Sequence, residues 1–251
     1  MNVECSFFIK RIRLPVCCIS GVQLSPFFLA NSVNSSCRRD GFPMLGSALS
    51  SRTEGLHQQL IITRSGAFNY DSKFRGATAK PLSYLQEDKE LSKDGFLLNH
   101  ARVLVGSGLE TYEKGKSALQ TWRHFGLDWA FVDPKTPIQS GVKFCVCLKE
   151  FLPWVMMPLE VVYVHETRKA NKALASFGFG SGTLQGHLLA GEERFSIELD
   201  ENNQVWYEIL SLSKPAHFLS FIGYPYVKLR QKYFAHQSTN AVVKHSTASQ
   251  Q

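Results

Sequence analysis

At 251 residues with 44% apolar side chains, the chain is long enough to bury a core, as one large domain or two small ones. Its charge of +7 is uneven: Lys10, Arg11, Arg13, Arg38, Arg39 and Arg52 against Glu4 and Asp40 give +4 before Glu54, Lys214, Lys228, Arg230, Lys232 and Lys244 give +5 after Glu208, and the stretch between carries −2. A phosphate-tracking surface needs its cations gathered on one face of a folded domain, so this distribution argues against a nucleic-acid-binding protein.

Residues 1–55 are Ser-rich and acid-poor. Basic Lys10-Arg-Ile-Arg13 precedes an uncharged run from Leu14 to Cys37, which Ser20, Gly21, Gln23 and Pro26 break too often for a membrane span. The composition fits a disordered or transit-like extension; an extension without a targeting role is the alternative. Cys5, Cys17, Cys18 and Cys37 fall in it, leaving Cys145 and Cys147 in the body. A C-x-C pair on a strand puts both thiols on one face, and with no second pair or Cys-His spacing nearby they read as small buried hydrophobes of a reducing compartment rather than a metal site.

A single folded domain is expected over residues 65–245, opening on the aromatic and turn-rich Gly66–Thr78. Phe96 to Gly108 reads as a strand closed by a glycine turn. Glu110 to Phe125 reads as a helix, with Tyr112, Leu119 and Trp122 at helical spacing and Gly126 as its stop. After Pro137 come five runs without helical period: Gly141–Phe151, Leu159–Thr167, Ala173–Phe179, Glu193–Leu199 and Val205–Leu212. Asp200-Glu-Asn-Asn203 between the last two marks a hairpin turn. Strands in succession without intervening helices demand an antiparallel sheet. From Pro215 the period changes: Phe218, Ile222, Tyr226, Leu229 and Tyr233 follow helical steps to about Ala241, with a break at Gly223 and Pro225. The spacing assigns Phe218, Ile222 and Leu229 to a face covering the sheet. The fold class is therefore α+β, a curved antiparallel sheet wrapping a long C-terminal helix.

Several separated motifs stand in order: Phe68-Asn-Tyr-Asp with Gly76-Ala-Thr78, Leu98-Asn-His-Ala-Arg102, Gly186-His187 with Gly191-Glu-Glu-Arg-Phe195, Ser213-Lys-Pro215, and Pro225-Tyr-Val-Lys-Leu-Arg-Gln231-Lys-Tyr-Phe234. In spacing and residue type they resemble a plant and bacterial family, uncharacterised protein family 0548, over roughly Phe68 to Ala241. The element order is similar to the helix-grip folds of START-like and birch-pollen-allergen-like proteins. By that analogy an apolar cavity between sheet and terminal helix is expected, with an apolar or amphipathic small molecule as its partner. The resemblance to plant members implies a plastid if residues 1–55 act in targeting, and the cytosol otherwise.

His100 and Arg102, two apart on one strand, share a face and with Trp122, Trp129 and His187 are the candidate ligand-binding residues. A surface ion pair and a sheet histidine are the alternative for the first two. His187 with Glu192 or Glu193 forms a candidate acid-base pair, of which only one glutamate meets the histidine, since adjacent strand residues face opposite ways. A polar turn that pins the hairpin register explains the same residues. No H-E-x-x-H, G-x-S-x-G or complete P-loop supports an enzyme, and no cofactor or metal is indicated. Three functions remain open: a small-molecule binding module; an enzyme on a lipid-like substrate using His187 and Glu192 or Glu193; and a peripheral membrane-contact protein using the basic C-terminal face and the Pro153–Pro158 run, read as an edge or loop.

Overall fold

The computed structural model describes residues 66–149, 154–169 and 174–247; the extension expected over 1–55 lies outside the described residues. Seven strands form one sheet: β1 (Leu97–Ser107), β2 (Ala130–Phe131), β3 (Lys143–Lys149), β4 (Trp154–Lys169), β5 (Leu174–Thr183), β6 (Leu189–Leu199) and β7 (Gln204–Pro215). Helices α1 (Leu82–Glu87) and α2 (Lys89–Lys93) precede β1, α3 (Leu109–Gln120) follows it, and α4 (Phe218–Ile222) and α5 (Tyr224–Thr247) close the chain. The order across the sheet is β1-β7-β6-β5-β4-β3-β2, with every neighbouring pair antiparallel. The sheet curls into a half-barrel that holds the long terminal helix, as the succession of strand runs implies.

Local chemistry sets the register. At the β6–β7 turn the Asp200 carboxylate accepts from the backbone N–H groups of Asn202 and Gln204, each at 2.9 Å, and from the Trp206 indole at 2.9 Å. Asn203 takes the left-handed conformation that such a turn requires. Alternation does the rest: Phe195, Ile197 and Leu199 on β6 and Val205, Tyr207 and Ile209 on β7 point to one face, where α3 and α5 pack. Gly115 marks the crossing of α3 over β6, because a Cβ there would stand 2.8 Å from Ile197 Cδ1. Cys145 and Cys147 are buried and unbridged, and burial pushes the Cys145 thiol up to about 12.

The opposite face is also covered, a feature the strand pattern alone does not announce. Tyr70, Phe74, Ala77, Leu85, Leu91 and Phe96, from the segment before β1, cluster with Ala190, Leu210 and Leu212. Gly182 lets that segment cross β5, since a side chain there would collide with the Tyr70 hydroxyl. A buried ionic clamp ties it down. Glu192 Oε1 accepts from the Tyr70 hydroxyl and the Gly76 N–H, both at 2.7 Å, while Oε2 accepts from the Thr78 N–H at 3.2 Å and its hydroxyl at 3.1 Å. Arg194, two residues on and on the same face, donates to Thr78 O at 2.6 Å and pairs with Glu208.

One detail narrows the sequence reading and another departs from it. Residues Trp154–Pro158 belong to β4 and pair with β3 alone, which is the edge alternative and not the loop. The C-terminal helical region is present and broken at Gly223, but Phe218, Ile222 and Leu229 are exposed, Leu229 by 65%. The buried face of α5 is built from Ser238, Thr239, Val242 and Ser246 with Ala235 and Phe234 partly buried, because small side chains let the helix lie close against α3.

Glu192→Ala strands four donors and is expected to lower unfolding free energy by about 3–5 kcal/mol in urea denaturation, against about 1 kcal/mol for Tyr70→Phe. Leu229→Ala should change it by less than about 0.5 kcal/mol.

Candidate functional site

The pleat of β1 points Asn99, Ala101 and Val103 towards α5, and β7 adds Ile209 and Ser211 from the same side. Across from them α5 presents Gln231, Phe234, Ala235 and Thr239, with Lys232 and His236 also in the wall. The two surfaces do not close. They leave a cavity of about 350 Å³ between sheet and helix, and Glu193 from β6 reaches its wall.

Glu193 is the one carboxyl in that wall. Burial pushes its pKa up to about 7, so the proton is held near neutrality. Nearby, Gln231 donates its amide N–H to Ser213 Oγ at 3.0 Å, while its buried carbonyl oxygen has no partner among the described residues. Behind the wall, Tyr207 Oη lies 2.8 Å from Ser238 Oγ, and burial raises the phenol's pKa, with the nearby Glu193 charge a smaller contribution. The arrangement offers apolar contact from Ala101, Val103, Ile209 and Phe234 and polar contact from a protonatable carboxyl, with the unpaired Gln231 oxygen buried in the same wall.

Of the residues singled out from sequence, only Glu193 fits this picture through its side-chain chemistry. The face assigned to His100 and Arg102 is the other one: Asn99 and Ala101 take the cavity side. His100 borders the cavity, yet its Nε2 lies 3.8 Å from Glu208. Arg102 pairs with Glu198 at 3.1 Å and lies over the Trp206 ring. Glu192 is committed to the clamp on the far face. His187 closes its own turn, its Nδ1 accepting the Leu189 N–H at 2.9 Å, and burial lowers its pKa to about 4. The expected pairing of His187 with either glutamate is therefore not formed. Trp122 is core, its indole donating to Thr136 O at 2.8 Å and its ring 4.7 Å from Phe144. Trp129 packs outside the cavity, against Tyr233 and the Arg230 guanidinium. Asn99, Ser211, Gln231 and Thr239 were missed; Gln231 stands within one of the quoted motifs, but a single glutamine in a helix carries no facing information.

A family model described as a domain of unknown function, DUF1990, matches residues 82–241. The chain belongs to this family, the UPF0548 proteins. A UPF0548 protein of Arabidopsis thaliana is 67% identical over 198 residues, covering 79% of this chain and 97% of that one. Another, from Dictyostelium discoideum, is 32% identical over 157 residues, 59% and 72% of the two chains. Among solved structures, a hypothetical protein from Helicobacter pylori aligns with TM-score 0.44 and 13% identity over 72% of this chain and 96% of that one. At such a score the fold rests on this chain's own strand pairing. The DUF1990 model's match contains the cavity residues and Glu192, whereas Tyr70, Gly76 and Thr78 of the clamp precede it.

Glu193 keeps its proton to about pH 7 when folded but only to about 4.5 when unfolded, so the stability it contributes is full below 4.5 and is lost as pH rises through 7. His187 and His124, lowered by burial to about 4 and about 3, act oppositely: their contribution is full above 6.5 and is lost as pH falls. Glu193→Gln removes only the first effect. Relative to wild type the variant should gain up to about 3 kcal/mol between about pH 5 and about pH 8, read by denaturation at each pH; a difference that stays constant would place the carboxylate in water.

Proposed function

We propose that this UPF0548 domain binds an apolar or amphipathic small molecule between the curled sheet and α5. The observation that carries the reading is the cavity of about 350 Å³, in which Glu193 has no ion-pair partner among the described residues and Gln231 keeps an unpaired oxygen. Unpaired polar groups in an apolar wall cost stability unless a bound molecule completes them. At neutral pH the protonated carboxyl donates to a carbonyl, hydroxyl or ether oxygen, the Gln231 oxygen accepts from a hydroxyl or amine, and the apolar walls enclose the rest of the molecule.

Native purification followed by denaturing mass spectrometry should yield a stoichiometric organic molecule. Ala101→Phe, which fills the cavity from β1, should lose it while retaining a cooperative thermal transition. Absence of any such molecule, or its full retention in a folded Ala101→Phe variant, would overturn the reading.

The carboxyl that titrates near neutrality supports a second reading, an enzyme on a lipid-like substrate with Glu193 as general acid or base and without His187. Glu193→Gln separates the two. A binder keeps its ligand with at most about tenfold weaker affinity, while turnover of a substrate derived from that ligand would fall by about 10²- to 10⁴-fold.

A further inference from the structure

The most conspicuous surface of the molecule plays no part in the cavity. In α4, Phe218, Leu219, Phe221 and Ile222 are all exposed, Phe221 by 72%. In α5, Tyr226, Leu229 and Tyr233 continue the exposed set, and their i, i+3, i+7 spacing places them on one stripe of the helix. Scattered apolar residues on a surface need no explanation, but seven within sixteen residues do.

The backbone beneath them is fixed. Ser220 turns inward and is buried, its Oγ 2.6 Å from Leu188 O, and it accepts the His217 N–H at 3.1 Å. His217 caps the helix by accepting the Leu219 N–H at 3.2 Å. A five-residue helix anchored in this way holds its four large side chains outward.

Charge decides what can cover them. From Ile209 to the C-terminus there are five Lys or Arg residues and no Asp or Glu. Lys228 and Lys232, one turn apart and both exposed, lie together on one side of the apolar stripe, Lys232 at the rim of the cavity. A second copy docking through the same patch about a two-fold axis would set these lysines against their own copies. Residues 1–53 of the chain carry +4 and have the same sign. An anionic lipid surface is complementary in both respects: it accepts large apolar and aromatic side chains at the headgroup boundary and attracts lysine to its phosphates.

We infer that α4 and the first half of α5 form a docking face for an anionic bilayer surface. Phe218, Leu219, Phe221 and Ile222 enter the boundary between headgroups and acyl chains, Tyr226 and Tyr233 lie at headgroup level, and Lys228 and Lys232 meet lipid phosphates. None of the helices among the described residues is long and apolar enough to cross a membrane, and this contact requires none to do so.

The test is flotation of the full chain with vesicles of phosphatidylcholine alone and of phosphatidylcholine mixed with phosphatidylserine. Wild type should bind the mixed vesicles at least about tenfold more strongly than the neutral ones, and less as salt is raised. Phe221→Ser with Ile222→Ser should lose binding by at least about tenfold with an unchanged thermal midpoint, because both side chains leave water only at the membrane. Lys228→Glu with Lys232→Glu should abolish the preference for anionic vesicles. Failure of wild type to float, equal flotation of the Phe221/Ile222 variant, or a concentration-dependent dimer that this variant dissolves would each overturn the inference. Flotation is read whether or not a small molecule copurifies, so failure here and failure of the cavity reading are told apart.

Discussion

Neighbouring side chains on a pleated strand must face opposite ways, and on β6 that constraint divides the whole molecule. Glu192 and Arg194 go to one side and grip the chain from Tyr70 to Lys80; Glu193 and Phe195 go to the other and face the helices. The clamp is the costlier side. A carboxylate withdrawn from water is tolerated only when its lone pairs are filled, and Glu192 fills them with two backbone N–H groups and two hydroxyls drawn from one short segment. That segment in turn covers Leu210 and Leu212, so the far face of β7 holds a buried apolar cluster of its own.

This explains which parts of the fold were legible in the amino-acid order. The strands and the Asp200–Asn203 turn announce themselves through short-range period and turn chemistry, and the helix after Gly108 through its 3.6-residue spacing. Facing is another matter. β1 is an edge strand with polar residues on both faces, so Asn99, His100 and Arg102 carry no parity signal, and the irregularity between Leu104 and Gly106 shifts the pairing besides. In α5 the rule that large apolar residues face inward fails because close packing against α3 selects small ones. The motifs Phe68–Asp71, Gly76–Thr78 and Gly191–Phe195 were visible as separate strings; that they meet at Glu192 is a tertiary fact that spacing cannot encode.

The aromatic residues divide along the same line. Trp122, Phe125, Phe144, Phe179 and Phe195 form one contiguous cluster around His124, whose ring lies 4.6 Å from Phe195 and 5.5 Å from Trp122. Burial lowers the His124 pKa to about 3, so the imidazole is neutral and serves as a core ring. An aromatic-rich composition therefore points first to the core here; the cavity draws on only one of these rings' neighbours, Phe234, which touches Phe125 on one side and borders the open space on the other.

The contrast between the two adjacent glutamates carries the functional argument furthest. Glu192 shows that this chain can supply a buried carboxyl group with a full set of hydrogen-bond donors when structure is the purpose. Glu193, one residue away and half-buried, receives none of that provision: burial alone sets its pKa, and no donor from sheet or helix is directed at it among the hydrogen bonds of the described residues. An apolar side chain of similar size would fill that place without the desolvation cost. A carboxyl kept there, in the wall of the same unfilled volume as Gln231, is what supports the binding proposed for this cavity.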